Sequence, residues 1–121
     1  MRKRRARPEQ AIQKAVFAHL RQRGVPGVFA LHIPNGGYRR PVEAAILKSL
    51  GVVAGAPDII AIHKGRCYCL ELKAEGGRAT EKQLTTLAAM EAAGAYTCIA
   101  EGLDRALAVL EQWQLLRGRA G

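Results

Sequence analysis

Two acidic residues and a lysine occupy the open end of a predicted β-hairpin near the middle of the chain. Asp58 precedes the apolar run 59–62, and Glu71 and Lys73 come after the apolar run 67–70. Mg²⁺ and Mn²⁺ prefer carboxylate oxygens and usually bind one or two carboxylates together with phosphate oxygens. The spacing therefore predicts a site for a divalent metal ion and a phosphate.

The strand register brings these three side chains to one place. Lys64-Gly65 lies between the two apolar runs as a two-residue turn, so His63 should pair with Arg66 and Asp58 with Glu71. Side chains alternate along a strand, which places Glu71 and Lys73 on one face with Asp58 opposite Glu71. A slip of one residue would separate them.

Two structural explanations remain open at this point. Two carboxylates about 5 Å apart repel by roughly 3 kcal/mol at an effective dielectric constant of about 20, and a neighbouring lysine can offset this in a buried ion network. Alternatively, the charges lie at a solvated strand end. Zinc is not expected, because no spacing of His and Cys residues supports a zinc site.

Length and composition indicate one globular domain. The chain has 121 residues, 49% of them hydrophobic and 24% charged. We expect a domain over residues 8–117, a flexible basic arm at 1–7 and a short tail at 118–121. No apolar run is long enough for a membrane span or a signal peptide, which favours a cytoplasmic protein without a membrane partner. In that compartment we expect Cys67, Cys69 and Cys98 to be reduced.

A strongly basic charge balance favours nucleic acid as the partner. The formal net charge is +9, and five of the 19 Lys and Arg residues precede residue 8. Basic segments bind polyanions by releasing counterions and read little sequence. A tail that only aids solubility would look the same.

The remaining pattern predicts an α/β fold. Helices are expected at 8–24, 41–50, 81–93 and 104–116, and strands at 28–33 and 96–100 in addition to the hairpin. Thr80 and Gln83 have the spacing of a capping box. Hairpin strands that are apolar on both faces favour a central mixed sheet of about four strands with helices on each side.

Two further segments have ambiguous roles from position alone. Glu9 heads the inward stripe of the first helix, where it could be a charge favoured by the helix dipole or could point into a polar site. The segment 34–37 can bring backbone N–H groups to a phosphate or can simply be a turn. Arg39 and Arg40 follow it and could reach a phosphate.

These residues together resemble a known nuclease family. Asp58 followed by Glu71-Leu72-Lys73 matches the PD-(D/E)xK signature, and the flanking residues resemble its VRR-NUC branch (virus-type replication-repair nuclease) in the small stand-alone form. The flanking blocks are Glu9, 33–37, Gly51, 55–59, 76–78 and Gln83. The resemblance covers residues 8–112, almost the whole chain.

The resemblance implies a restriction-endonuclease-like sandwich and a role for each site residue. Asp58, Glu71 and the backbone carbonyl of Leu72 would hold Mg²⁺ or Mn²⁺. Lys73 would position or deprotonate the attacking water, or stabilise the transition state. Glu9 would bind the metal directly or through water, and Gln83 would support the site or contact substrate.

The resemblance also implies an endodeoxyribonuclease that hydrolyses phosphodiesters in branched DNA, such as Holliday junctions, during replication, repair or recombination. Stand-alone members are expected to act as homodimers in a bacterial or phage-infected cell, without a small-molecule cofactor. A non-catalytic binding module with the same fold is the alternative. The expected DNA contacts are Asn35, Gly36, Gly37, Arg39, Arg40 and Arg78, together with Arg2, Lys3, Arg4, Arg5 and Arg7 of the arm.

Overall fold

A computed structural model describes the backbone of residues 2–34 and 40–118, and side chains from residue 8 onward within those ranges. Helices and strands follow one another in the order that the sequence pattern predicts. The elements are α1 (Arg2–Arg23), β1 (Phe29–His32), α2 (Pro41–Ser49), β2 (Ile59–His63), β3 (Arg66–Lys73), α3 (Glu81–Ala92), β4 (Tyr96–Glu101) and α4 (Leu103–Gln112).

The four strands form one mixed sheet in sequential order. β1 and β3 flank β2 in antiparallel pairs, and β4 lies parallel to β3 at the edge. The hairpin register is the predicted one, with His63 opposite Arg66. Lys64 and Gly65 have φ angles of 51° and 76°, and positive values at both turn positions are typical of a type I′ turn.

The two sheet faces have different roles. Leu70 and Leu72 of β3 lie on the face that packs against α1 and α4, where they join Val16, Leu107 and Leu110 in the main core. Glu71 and Lys73 alternate with them and therefore lie on the other face. α3 covers this second face, since Gln83 reaches Glu71 from there. The predicted α/β sandwich with helices on both faces is confirmed.

The first helix differs from its predicted start. α1 begins at Arg2 and contains Pro8, whereas the sequence pattern predicted a start at Pro8 itself. Arg, Lys and Ala are strong helix formers, so the basic segment continues the helix despite the one backbone donor that proline lacks. The use of residues 1–7 to bind nucleic acid stays a prediction.

The last two helices differ from their predicted packing. α4 ends at Gln112, four residues before its predicted end, and Gln114 turns the chain with a φ angle of 64°. Leu115 and Leu116 are nevertheless buried, as predicted, because this segment folds back against the end of α1. In α3, Leu87 is buried but Leu84 is 50% exposed, so less of that helix packs inward than its spacing predicted.

Helix α2 forms where the sequence predicted it but buries none of its side chains. The cysteines are free, with Cys69 buried and Cys67 and Cys98 half-buried, in agreement with reduced thiols. Within the described ranges, no helix is both long and apolar enough to cross a membrane.

Candidate active site

Asp58 is held where β1, β2 and β3 meet. The β2–β3 ladder is paired as far as Ile59 and Leu70, and beyond it the Asp58 carboxylate accepts the backbone N–H of Leu72 at 2.8 Å. The Asp58 carbonyl accepts the N–H of Ile33 at 3.2 Å and lies 2.7 Å from Nδ1 of His32. Hydrogen bonds from neighbouring strands therefore fix both the side-chain carboxylate and the backbone carbonyl of Asp58.

Glu71 lies at the centre of the site and is 2% exposed. Its Oε2 accepts a hydrogen bond from Nε2 of Gln83 at 2.8 Å and lies 3.5 Å from Nζ of Lys73. Lys73 is itself buried, with 8% exposure. The carboxylate and the ammonium group therefore face each other in a site screened from bulk water.

The surroundings raise the pKa of the Glu71 carboxyl from 4.5 to about 7. Burial is the largest cause, and the negative charge of Asp58 adds to it. Lys73 lowers the pKa, while Glu9 raises it slightly. The site thus holds acidic charge in excess of its one nearby lysine, an imbalance that a bound cation would relieve.

The donor set fits Mg²⁺ or Mn²⁺ better than zinc. Asp58 and Glu71 supply carboxylate oxygens, and the backbone carbonyl of Leu72 lies in the same strand as Glu71. Among the residues that the structure describes, no group of three or more His, Cys, Asp or Glu side chains could hold a metal ion. Zinc needs three or four protein ligands, whereas Mg²⁺ retains waters and accepts substrate phosphate oxygens.

Gln83 joins the start of α3 to the site. Thr80 Oγ1 accepts the Gln83 backbone N–H at 3.2 Å, and Gln83 Oε1 accepts the Thr80 N–H at 2.9 Å. This is the predicted capping box. The Nε2 group of the same side chain remains for Glu71, so one glutamine both begins the helix and orients the buried carboxylate.

A second connection ties α3 to the loop before Asp58, and sequence reasoning missed it. Thr86 Oγ1 donates to the Ala54 carbonyl at 2.6 Å. Gly55 has a φ of 79°, and a Cβ there would lie 2.4 Å from the Lys82 carbonyl oxygen. Only glycine permits this approach. A glycine before Pro57-Asp58 was the available signal, but sequence does not reveal which backbone it touches.

The structure describes Glu9 and two of the predicted DNA contacts, Arg40 and Arg78. Glu9 is half-buried, and its charge acts on Glu71. Arg78 is exposed, and Arg40 is exposed while bonded to Glu43 at 2.9 Å. Asn35, Gly36, Gly37 and Arg39 lie outside the described residues, as do the side chains of Arg2, Lys3, Arg4, Arg5 and Arg7.

An open groove of about 670 Å³ borders the site along β4. Ile99 and Glu101 in its wall pair with Glu71 and Lys73 across the parallel strands. Glu75, Gly76 and Arg105 complete the lining. The Gly76 N–H donates to Glu101 at 2.6 Å, which fixes the loop after β3 against this edge.

The chain is similar to a solved structure described as "VRR_NUC domain protein". The two share 26% sequence identity, and the superposition covers 89% of each chain with a TM-score of 0.74. This likeness bears out the VRR-NUC resemblance, the restriction-endonuclease-like fold and a nuclease-domain family. No protein-family model matches the chain, and no curated protein matches it.

The raised pKa of Glu71 predicts a pH-dependent stability in metal-free protein. The folded state binds this proton more tightly than the unfolded state, so the free energy of unfolding should fall as pH rises from about 4.5 to about 7. The Glu71 carboxyl should lower the free energy of unfolding by at most about 3 kcal/mol over this range. Urea unfolding in EDTA across this range measures it.

Glu71→Gln should remove this pH dependence and stabilise the protein above neutral pH. Glu75→Gln is the matched control, because Glu75 is exposed. Identical pH profiles for wild type and Glu71→Gln would show that burial does not act on Glu71 as described.

Substitutions in the capping box should separate helix stability from site geometry. Gln83→Ala removes a cap bond and the bond to Glu71, whereas Thr80→Ala removes only the bond from the Gln83 N–H. Thr80→Ala should destabilise the fold by about 1 kcal/mol, and Gln83→Ala by more, because it also removes a donor from the buried Glu71 carboxylate. Only Gln83→Ala should weaken Mn²⁺ binding in calorimetric titration; equal weakening by both variants would contradict a role for Gln83 at the site.

Proposed function

We propose that the protein is a Mg²⁺- or Mn²⁺-dependent DNA endonuclease that hydrolyses phosphodiester bonds. The observation that carries this proposal is the buried Glu71 carboxylate beside Asp58, with Lys73 Nζ at 3.5 Å. A binding module has no need of two acidic groups directed at a polyanion. The similarity to a VRR_NUC domain protein supports a nuclease-domain family.

Each site residue has a distinct part in hydrolysis. A divalent cation held by Asp58, Glu71 and the Leu72 carbonyl would supply positive charge to the phosphate and acidify the attacking water. Lys73 orients that water or stabilises the charge that develops on the phosphate oxygens. Gln83 holds Glu71 in place, and Glu9 of α1 would help to hold the cation, directly or through water.

Electrostatics supports DNA as the substrate. The net charge of +9 attracts a polyanion, and the basic residues before Pro8 add contacts to phosphates that do not depend on sequence. Arg78 is exposed on the loop after β3, where it can reach a DNA backbone. We propose that further contacts come from the loop after β1, at Asn35, Gly36, Gly37, Arg39 and Arg40.

We propose branched DNA, such as a Holliday junction, as the preferred substrate and a homodimer as the active form. One site cleaves one strand, whereas two-fold symmetry provides two antiparallel sites suited to paired nicks. A role in replication, repair or recombination follows from this substrate. The cytoplasm of a bacterial or phage-infected cell is the proposed compartment, and the free cysteines are compatible with it.

Charge-removing substitutions in the site should abolish cleavage. Asp58→Asn keeps an oxygen for the Leu72 N–H but loses the charge, and Lys73→Ala loses the buried cation. Each should reduce nicking by at least about 10²-fold, which is typical when one group that stabilises the transition state is removed. The assay measures nicking of four-way, flapped and linear DNA in Mg²⁺, Mn²⁺ or EDTA.

Lys14→Ala is the matched control for the lysine substitution, because Lys14 is exposed on α1. It should retain wild-type cleavage. Folded Asp58→Asn and Lys73→Ala variants with full activity would disprove the site assignment. Wild-type protein that binds all of these DNAs and cuts none with either metal would instead establish the non-catalytic binding module.

Removal of residues 1–7 should weaken DNA binding without stopping turnover. The affinity and its salt dependence should both fall, with the logarithmic salt slope reduced by about 0.9 for each phosphate that the shortened chain no longer neutralises. Fluorescence anisotropy over a salt series measures this. Metal-dependent turnover at saturating DNA should persist; its disappearance would mean that this segment belongs to the active site.

A further inference from the structure

Two cysteines of β3 hold their sulfur atoms side by side. Cys67 and Cys69 are two residues apart in one strand, so both side chains lie on the same face of the sheet. Their Sγ atoms are 4.0 Å apart, and both thiols are free. We call these two side chains the thiol pair. Glu71 follows on the same face two residues later, yet the proposed hydrolysis does not use either sulfur.

The separation of the two sulfurs suits a shared metal ion better than a disulfide bond. A thiolate binds an ion such as Zn²⁺ at about 2.3 Å, so two sulfurs on one ion lie about 3.8 Å apart at a tetrahedral angle and about 4.6 Å apart in a line. The observed 4.0 Å lies between these limits. A disulfide needs sulfurs about 2.05 Å apart and Cα atoms within about 6.8 Å, and alternate residues of a strand, about 6.6 Å apart, are close to that limit.

We propose that the thiol pair binds one Cu(I) ion. Soft thiolate ligands select soft ions such as Cu(I), which is stable with only two sulfur ligands. Along the described part of the chain, no third His, Cys, Asp or Glu side chain completes a group that could hold a metal ion. Zn²⁺ is therefore a poor occupant, because it needs three or four protein ligands. The two Cu–S bonds form as both S–H protons pass to water, and copper keeps its oxidation state.

The two sulfurs differ in burial, which gives the ion a route to the thiol pair. Cys67 is half-buried, whereas Cys69 is inaccessible to solvent. Ile62, the cross-strand neighbour of Cys67, is 46% exposed. An incoming ion can therefore bind Cys67 first and then Cys69 behind it. The buried second sulfur would hold the ion away from bulk water.

Sulfur and oxygen donors on the same face of β3 should select different ions. The thiol pair ends two residues before Glu71, whose carboxylate suits Mg²⁺ or Mn²⁺. These hard cations prefer carboxylate, carbonyl and water oxygens, whereas Cu(I) prefers sulfur. Excess Mg²⁺ should therefore leave Cu(I) on the thiol pair.

Anaerobic titration with Cu(I) in competition with the chromophoric chelator bicinchoninate tests the proposal. Cys98→Ala is the matched control for Cys67→Ser, because Cys98 is also half-buried but its sulfur contacts the Ile99 carbonyl instead of a second thiol. Wild type and Cys98→Ala should each take one Cu(I) from the chelator, and folded Cys67→Ser should take none. Undiminished uptake by Cys67→Ser, or no uptake by wild type, would overturn the proposal.

X-ray absorption at the copper edge gives a second measurement that needs no substitution. The spectrum of wild type loaded with one Cu(I) should show two sulfur ligands, and excess Mg²⁺ should leave it unchanged. A spectrum dominated by nitrogen or oxygen ligands would overturn the proposal. Neither measurement involves DNA or cleavage, so its outcome is independent of the proposed function.

Discussion

The burial of the Glu71 carboxylate is the constraint on which the site depends. A charge that is almost inaccessible to water needs partners, and Gln83 and Lys73 provide them at 2.8 Å and 3.5 Å. Burial is the main cause that raises the pKa of Glu71 to about 7, and the negative charge of Asp58 raises it further, against the effect of Lys73. The site therefore holds two neighbouring carboxyl groups beside one lysine.

The scaffold keeps stability and chemistry on opposite faces of one sheet. Alternate residues of β3 supply Leu70 and Leu72 to the main core and Glu71 and Lys73 to the site. α3 is then fixed at two points, by Gln83 on Glu71 and by Thr86 on the loop that leads to Asp58. Since both connections lie in the first two turns of one helix, α3 links the Glu71 side chain to the loop that leads to Asp58.

The hairpin site was predictable because strand geometry is periodic and local. Two residues in the turn set the pairing from His63–Arg66 onward, and alternation along β3 puts Glu71 and Lys73 on one face. The capping box at Thr80 and Gln83 was equally local. The sequence pattern did not predict three other features: the start of α1, the end of α4 and the exposure of Leu84. There, helix propensity and distant packing override the local pattern.

The sequence by itself determined the element order, the hairpin register and the set of acidic and basic groups at its end, because backbone periodicity and turn chemistry act over a few residues. Tertiary structure alone decided that the capping residue Gln83 also bonds Glu71, that Gly55 lies against the Lys82 carbonyl, and that α2 stays unburied. These contacts join segments distant in sequence, and burial depends on every element that packs nearby.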